Sequence, residues 1–108
     1  MIPPSSFDSD DRITVEISRD LEDIVPIFLA NRKKELPILR DALTTQNFNT
    51  LQTLGHRMKG DGGGYGFDHI SEIGTGLETA AKQRHLSAIE QHIAQLEEFL
   101  KRVEVVYR

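Results

Sequence analysis

Apolar residues recur at helical spacing through most of this 108-residue chain. From about Asp20 onward they return every three or four residues, which places them on one face of successive helices. In the last such stretch, roughly residues 86 to 106, the intervals alternate between four and three residues: Ile89, Ile93, Leu96, Leu100 and Val103. This is the seam of helices that pack in an antiparallel bundle. The spacing therefore predicts an all-α fold, an up-and-down antiparallel four-helix bundle.

The helix boundaries follow from polar turns and capping residues. The first helix is predicted to begin near Asp20, a residue type that caps helix N-termini, and to end near Thr45. Pro37 lies well inside this stretch, so one kinked helix and two consecutive helices both fit. The second helix is predicted from Phe48 to about Tyr65.

The third helix is predicted to be capped by Asp68, and residues 82–85 form a polar turn before the fourth helix at about 86–106. Residues 1–11 hold two prolines, three serines and three aspartates, which predicts a flexible N-terminal arm. Residues 13–17 alternate apolar and polar side chains, the pattern of a short strand. In a helical chain such a strand has no evident partner. We expect an extended segment laid against the bundle, with strand pairing at a partner or dimer edge as the alternative. The bundle domain is then 12–108.

Composition excludes several classes of protein. The chain has no cysteine, which rules out disulfides and thiolate metal sites. Its net charge is −4 with mixed signs, so no basic patch for nucleic acid dominates. No apolar run approaches the roughly 20 residues that span a bilayer, and the N-terminus lacks the regions of a signal peptide. We expect a cytoplasmic monomer that binds neither nucleic acid nor membrane.

Glycines concentrate where the second helix is predicted. Residues 62–66 hold four of the eight glycines, although each glycine in a helix interior costs about 1 kcal/mol relative to alanine. On a helical wheel, Gly55 and Gly62 fall on the core face, where they allow close packing. His56 falls about 150° from the centre of that face. An exposed histidine is therefore predicted beside this glycine cluster.

The outer face around His56 is predicted to carry few bulky side chains. Gly60, Gly63 and Phe67 lie on the same side of the wheel, and Lys59 lies one turn away on its flank. An exposed imidazole with a nearby cation and an open approach suits a nucleophile that another protein must reach. Lysine can also stabilise a transferring phosphoryl group.

Other interpretations of these residues have less support. The glycine spacing of a phosphate-binding loop is absent, and so are the elbow motif of serine hydrolases and the paired motifs of helical metal sites. No metal site is therefore predicted, and the remaining histidines are interpreted as solvated: His69, His85 and His92. The charged run at 32–35 is interpreted as solvated helix surface, with partner docking as an alternative.

The run His56-Arg57-Met58-Lys59-Gly60, followed by Gly66, Ile70 and Leu77-Glu78, resembles the motif of histidine phosphotransfer (HPt) domains. Further residues resemble the single-domain bacterial form of the family: Phe28-Leu29, Arg32, Leu39, Asn47-Phe48 and Ala80-Ala81-Lys82. The resemblance implies that His56 is the phosphoacceptor and that Lys59 assists phosphoryl transfer. It implies that Gly60 and Gly63 leave room for a partner, and we add Phe67 and Gln52 to the predicted partner-binding residues. The later matches are structural in the family.

The resemblance implies a phosphorelay carrier without kinase activity of its own. Its partners would be response-regulator receiver domains and a hybrid sensor histidine kinase, with no cofactor on this chain and Mg²⁺ on the receiver only. Two departures are that Gly55 stands where alanine is common, and Arg84-His85 where Gly-Asp is common. A third is the segment Asp61-Gly62-Gly63-Gly64, which stands where small polar residues are usual. Its carboxylate, Asp61, is predicted on the core-side flank of the helix rather than beside His56. A non-catalytic helical adaptor that binds a partner through the glycine face is the alternative function.

Overall fold

The computed structural model describes residues 12–108, so the predicted arm at 1–11 lies outside the described residues. Four helices form the bundle: α1 (Val25–Thr44), α2 (Phe48–Tyr65), α3 (Asp68–Lys82) and α4 (Leu86–Arg102). A short 3-10 helix (Arg19–Leu21) precedes α1. Strand β1 (Ile13–Ile17) comes before it, and strand β2 (Val103–Tyr107) follows α4.

The four helices enclose one hydrophobic core, which confirms the predicted bundle. α1 packs against α2 and α4, and α3 packs against the same two helices. Ten side chains are almost completely removed from solvent, and every helix contributes to the set: Val25, Leu39, Leu51, Met58, Phe67, Ile70, Leu77, Ile89, Ile93 and Leu96. The helical spacing in the sequence identified most of these positions, because a helix buries the side chains that return every three or four residues.

The start of α1 differs from its prediction. Ser18, not Asp20, is the capping residue here, and its hydroxyl accepts from the backbone N–H of Asp20 at the start of the 3-10 helix. α1 itself begins at Val25, with Pro26 in its first turn, where the missing N–H has no intrahelical acceptor to lose. Pro37 lies inside one continuous helix, so the two-helix alternative is wrong.

The turn between α2 and α3 corrects two predictions. α2 ends because Gly66 adopts a left-handed conformation (φ 86°), and the chain then turns Phe67 into the core. Phe67 is fully buried and contacts the rings of Phe28 and Phe99, with centroids 5.4 and 6.4 Å away. Its predicted place on the outer face is wrong, because the wheel assumed that the helix continued. Asp68 is the first residue of α3 and not its cap.

The two ends of the described chain form a parallel two-stranded sheet. Ile13 pairs with Val103 and Ile17 with Tyr107, so the predicted extended segment is a strand with an intramolecular partner. The segment is extended as expected and buries Ile17 in the core, and the correction concerns its partner, which is β2 of the same chain and not a partner or dimer edge. The fourth helix, predicted to reach about residue 106, ends at Arg102, since the sequence that follows is rich in β-branched residues.

The turn before α4 explains the Arg84-His85 departure. Arg84 has a left-handed backbone (φ 55°), a conformation that glycine adopts most readily. The Nδ1 atom of His85 accepts a hydrogen bond from the N–H of Ala88 at 3.1 Å and so caps α4. His85 therefore has a structural role beyond the solvated one predicted. His69 also has a packing partner, since its ring stacks on Phe99.

Candidate functional site

The site forms where α2 and α3 approach each other most closely. A Cβ atom on Gly55 would lie 2.7 Å from the backbone nitrogen of Glu78 and 2.9 Å from the carbonyl oxygen of Gly74. A Cβ atom on Gly74 would lie 2.5 Å from the backbone nitrogen of Lys59. These distances are too short for any side chain, so two glycines let the helix backbones touch. This explains why Gly55 stands where alanine is common in the resembled motif.

His56, the next residue after Gly55, is exposed at this contact. Its Nδ1 atom lies 3.0 Å from Oε2 of Glu78 on α3, and the His56 side chain is 71% exposed while that of Glu78 is 13% exposed. A carboxylate can only accept a hydrogen bond, so Nδ1 is the protonated nitrogen of a neutral His56 ring. Nε2 then carries the free lone pair. Glu78 on the neighbouring helix thus sets the tautomer of the His56 ring, and Nε2 is the nitrogen that remains available to react.

Lysines from both helices belong to this region. Lys59 lies one helical turn after His56 on α2 and is exposed, as predicted. Lys82 on α3 places its Nζ atom 3.8 Å from Oε2 of Glu78, the oxygen that also contacts His56. Sequence reasoning did not identify Lys82 as a site residue.

The outer surface of α2 beyond His56 is open. A Cβ atom on Gly60 or Gly64 would meet no heavy atom within 4 Å, and one on Gly63 would only approach the Ser71 hydroxyl at 3.9 Å. Nothing within the bundle requires glycine at these positions. On the other side of His56, a shallow hollow is lined by Gln52, Thr53, Arg57 and Glu78 together with His56 itself. The structure therefore brings Gln52, Gly60 and Gly63 to the surface around His56, and it removes Phe67 from that surface.

A second charged cluster lies on the α1 side of α2. Arg32 is buried and donates from Nη2 to Oε2 of Glu35 at 3.1 Å, and its Nη1 atom lies 3.5 Å from Oδ2 of Asp61. Arg32 Nε lies 2.9 Å from Oε1 of Glu35, but the N–H does not point at this oxygen, so this contact is an ion pair without a hydrogen bond. Burial raises the pKa of Glu35, although the charge of Arg32 opposes the shift. Because its carboxylate contacts Arg32, Asp61 points toward α1 and away from His56, as the helical wheel predicted.

Glu78 is the main site residue that sequence reasoning assigned to another role. The Leu77-Glu78 pair belongs to the resembled motif, which implies a structural role for both residues. Leu77 is fully buried, in agreement with that interpretation, whereas Glu78 reaches His56. Only the crossing of α2 and α3 reveals this contact, because the two residues lie far apart in sequence.

Within residues 12–108, no three histidine or acidic side chains group closely enough to hold a metal ion. None of the four helices is long and apolar enough to cross a membrane.

Fold and site together define a small helical domain that presents the exposed imidazole of His56, oriented by a carboxylate from the adjacent helix. The profile of the Hpt domain family matches residues 23–105, and the chain belongs to this family. The resemblance noted in the sequence is thereby confirmed. Hpt domains carry phosphoryl groups on histidine in phosphorelays, where they interact with receiver domains and histidine kinases. No curated protein and no solved structure matched the chain.

Proposed function

We propose that this protein relays a phosphoryl group between the aspartates of two receiver domains and holds it on Nε2 of His56. The observation that carries this proposal is the contact between His56 Nδ1 and Glu78 Oε2, 3.0 Å long, which leaves the lone pair of Nε2 free on a side chain that is 71% exposed. A histidine held in this way is prepared for nucleophilic attack, because the partner of one nitrogen sets the tautomer that frees the other.

The transfer is an in-line displacement at phosphorus. Nε2 of His56 attacks the phosphorus of the aspartyl phosphate, the N–P bond forms, and the P–O bond to the aspartate breaks. The electron pair leaves with the aspartate, which becomes a carboxylate. The proton on Nδ1 stays in place, so the ring becomes cationic, and Glu78 stabilises this charge as a triad carboxylate stabilises its imidazolium. The same steps in reverse deliver the group to the second receiver.

Lys59 and the open helix surface support this step from the other side. We assign to Lys59 the stabilisation of charge on the phosphoryl oxygens during transfer. Gly60 and Gly63 let the receiver backbone approach α2, and Gln52 contacts the partner beside the hollow next to His56. The chain acts as a carrier and not as a kinase. Mg²⁺ is supplied by the receiver, and a hybrid sensor kinase in the cytoplasm is the source of the phosphoryl group.

Incubation with a receiver domain that carries a radiolabelled aspartyl phosphate tests the proposal. The wild-type protein should acquire an acid-labile, base-stable label, and His56→Gln should acquire none. His69→Gln is the matched control, since His69 is an exposed histidine on the neighbouring helix, and it should be labelled like the wild type.

Equal labelling of His56→Gln and wild type would contradict the phosphoacceptor assignment. A wild-type protein that binds the receiver tightly but takes no label from any donor would instead be the non-catalytic adaptor.

A further inference from the structure

Glu78 contacts two side chains through the same oxygen atom. Its Oε2 lies 3.0 Å from Nδ1 of His56 on α2 and 3.8 Å from Nζ of Lys82 on α3. Lys82 is one turn beyond Glu78 and is the last residue of α3, where the helix dipole favours a positive charge. The three side chains form a connected row, Lys82–Glu78–His56, across the surface where the two helices meet.

The burial of the three side chains differs in a way that suggests separate roles. Glu78 is 13% exposed and lies at the base of the site, whereas Lys82 is 58% exposed and lies at its rim. The contact of Lys82 is longer than a hydrogen bond, so its ammonium group is close to the carboxylate without being fixed to it. Lys82 can therefore adjust its position when charge is added nearby.

Phosphorylation of His56 would bring a second negative charge close to Glu78, and Lys82 is near enough to reduce the repulsion between them. The carboxylate of Glu78 binds Nδ1, and the phosphoryl group would be carried on Nε2 of the same small ring. Negative charges held this close disfavour each other, and a neighbouring cation reduces the cost. Lys82 supplies such a cation, because its Nζ atom lies 3.8 Å from the same Glu78 oxygen that contacts the imidazole.

We propose that Lys82 is a positioning residue of the His56 site, which compensates the charge of Glu78 while the phosphoryl group is on His56. This inference rests on the proposed function and deepens it. Lys82 acts through Glu78, whereas Lys59 acts on the phosphoryl group itself. The two lysines therefore have distinct roles, and their substitutions are distinguishable by experiment.

Phosphoramidate is the donor for the test, because this small molecule removes the receiver from the measurement. Nε2 of His56 forms the N–P bond, the P–N bond of phosphoramidate breaks, and ammonia leaves with the electron pair. Intact-mass measurements give the rate of phosphorylation. Lys82→Met should lower this rate about fivefold, the factor expected for loss of about 1 kcal/mol of charge compensation. Lys82→Arg, which keeps the charge, should stay within about twofold of wild type.

The control is Lys101→Met. Lys101 is 67% exposed and lies 3.9 Å from Glu98 on α4, so it matches Lys82 in exposure and contact length and lies outside the site. The Lys101→Met variant should be phosphorylated by phosphoramidate at the wild-type rate. Denaturation curves of all variants separate a loss of folding from a loss of rate.

The dependence on Glu78 is tested in a double-mutant cycle. In a Glu78→Gln background, Lys82→Met should change the rate by less than about twofold, because the carboxylate that it compensates is gone. An effect of undiminished size in that background would overturn the inference, and so would a Lys82→Met rate equal to that of Lys101→Met. A wild-type protein that takes no phosphoryl group on His56 would overturn the proposed function together with this inference. Phosphorylation at His56 with no dependence on Lys82 would overturn the inference alone.

Discussion

At the scale of single residues, glycines that look alike in the sequence have different roles. Gly55 is buried against the backbone of α3, and its lack of a side chain allows Glu78 to reach His56. Gly60 is exposed with open space around it. The helical wheel predicted this division correctly. It could not predict that the packing glycine also sets the distance between the imidazole and its carboxylate, because that distance depends on α3.

Substitution of these two glycines by alanine should have opposite effects on stability. Gly55→Ala places a Cβ atom 2.7 Å from the backbone of Glu78, so α3 must move, and we expect a loss of about 1–3 kcal/mol of unfolding free energy. Phosphorylation by phosphoramidate should also slow, since Glu78 moves with α3. Gly60→Ala should raise the unfolding free energy by about 1 kcal/mol through helix propensity. Urea denaturation and intact-mass measurements provide the two readouts.

Gly60→Ala also separates intrinsic reactivity from partner approach. Its rate with phosphoramidate should equal that of the wild type, whereas phosphoryl transfer from a receiver domain should be slower. A Gly55→Ala protein as stable as the wild type would show that the close contact of α2 and α3 is not required.

At the scale of elements, the small sheet ties the start of the described chain to its end. Ile17 of β1 is buried, and its Cδ1 atom lies 3.0 Å from where a Cβ atom on Gly66 would stand. Gly66 is the left-handed residue that ends α2. Strand β1 therefore packs on the end of the helix that carries His56. The alternating pattern of residues 13–17 predicted the strand correctly. Its partner β2 was not predicted, because the apolar spacing of the fourth helix continues to Val103 and the helix was expected to reach about residue 106.

Proline substitutions should reveal the hydrogen-bonding direction of β1. Arg108 donates to the carbonyl of Ile17 and accepts from the N–H of Arg19, so odd-numbered residues of β1 face β2. By the same alternation, the N–H of Val15 points at β2 and that of Thr14 points away. Val15→Pro should lose about 1–3 kcal/mol more unfolding free energy than Thr14→Pro, as measured in urea.

Hydrogen exchange gives a second test of the same ladder. Protection of the strand amides should fall in Val15→Pro and persist in Thr14→Pro. Equal losses of stability in the two variants would contradict the parallel register.

At the scale of the whole molecule, aromatic residues join helices that are distant in sequence. Phe67 contacts Phe28 of α1 and Phe99 of α4, while Phe28 also contacts Tyr65 at the end of α2, with ring centroids 4.6 Å apart. This cluster lies beside the glycine-rich end of α2. It supplies tertiary packing to a helix whose own residues have low helix propensity.

Phe67→Ala should therefore destabilise the whole bundle and should not act as a partner-docking variant. We expect a loss of about 3–5 kcal/mol of unfolding free energy, since a fully buried ring is removed. Ile27→Ala is the control, because Ile27 is 61% exposed on α1, and its effect should stay within about 0.5 kcal/mol. Thermal and urea denaturation measure both. A Phe67→Ala protein with normal stability and weakened receiver binding would instead support the prediction from the sequence that Phe67 binds the partner on the outer face of α2.

The sequence by itself determined the features that depend on near neighbours. Helical spacing defined the four helices and most of the core, and the run from His56 to Gly60 placed an imidazole, a cation and an open surface on one helix. The tertiary structure decided every feature that joins distant segments: the pairing of β1 with β2, the burial of Phe67 and the contacts of Glu78 with His56 and Lys82. The physical reason is that periodicity fixes which face of an element is apolar, while the close approach of two elements depends on how their backbones pack. Gly55 connects the local pattern with the tertiary packing, because a residue without a side chain on the core face of α2 lets α3 bring Glu78 to His56.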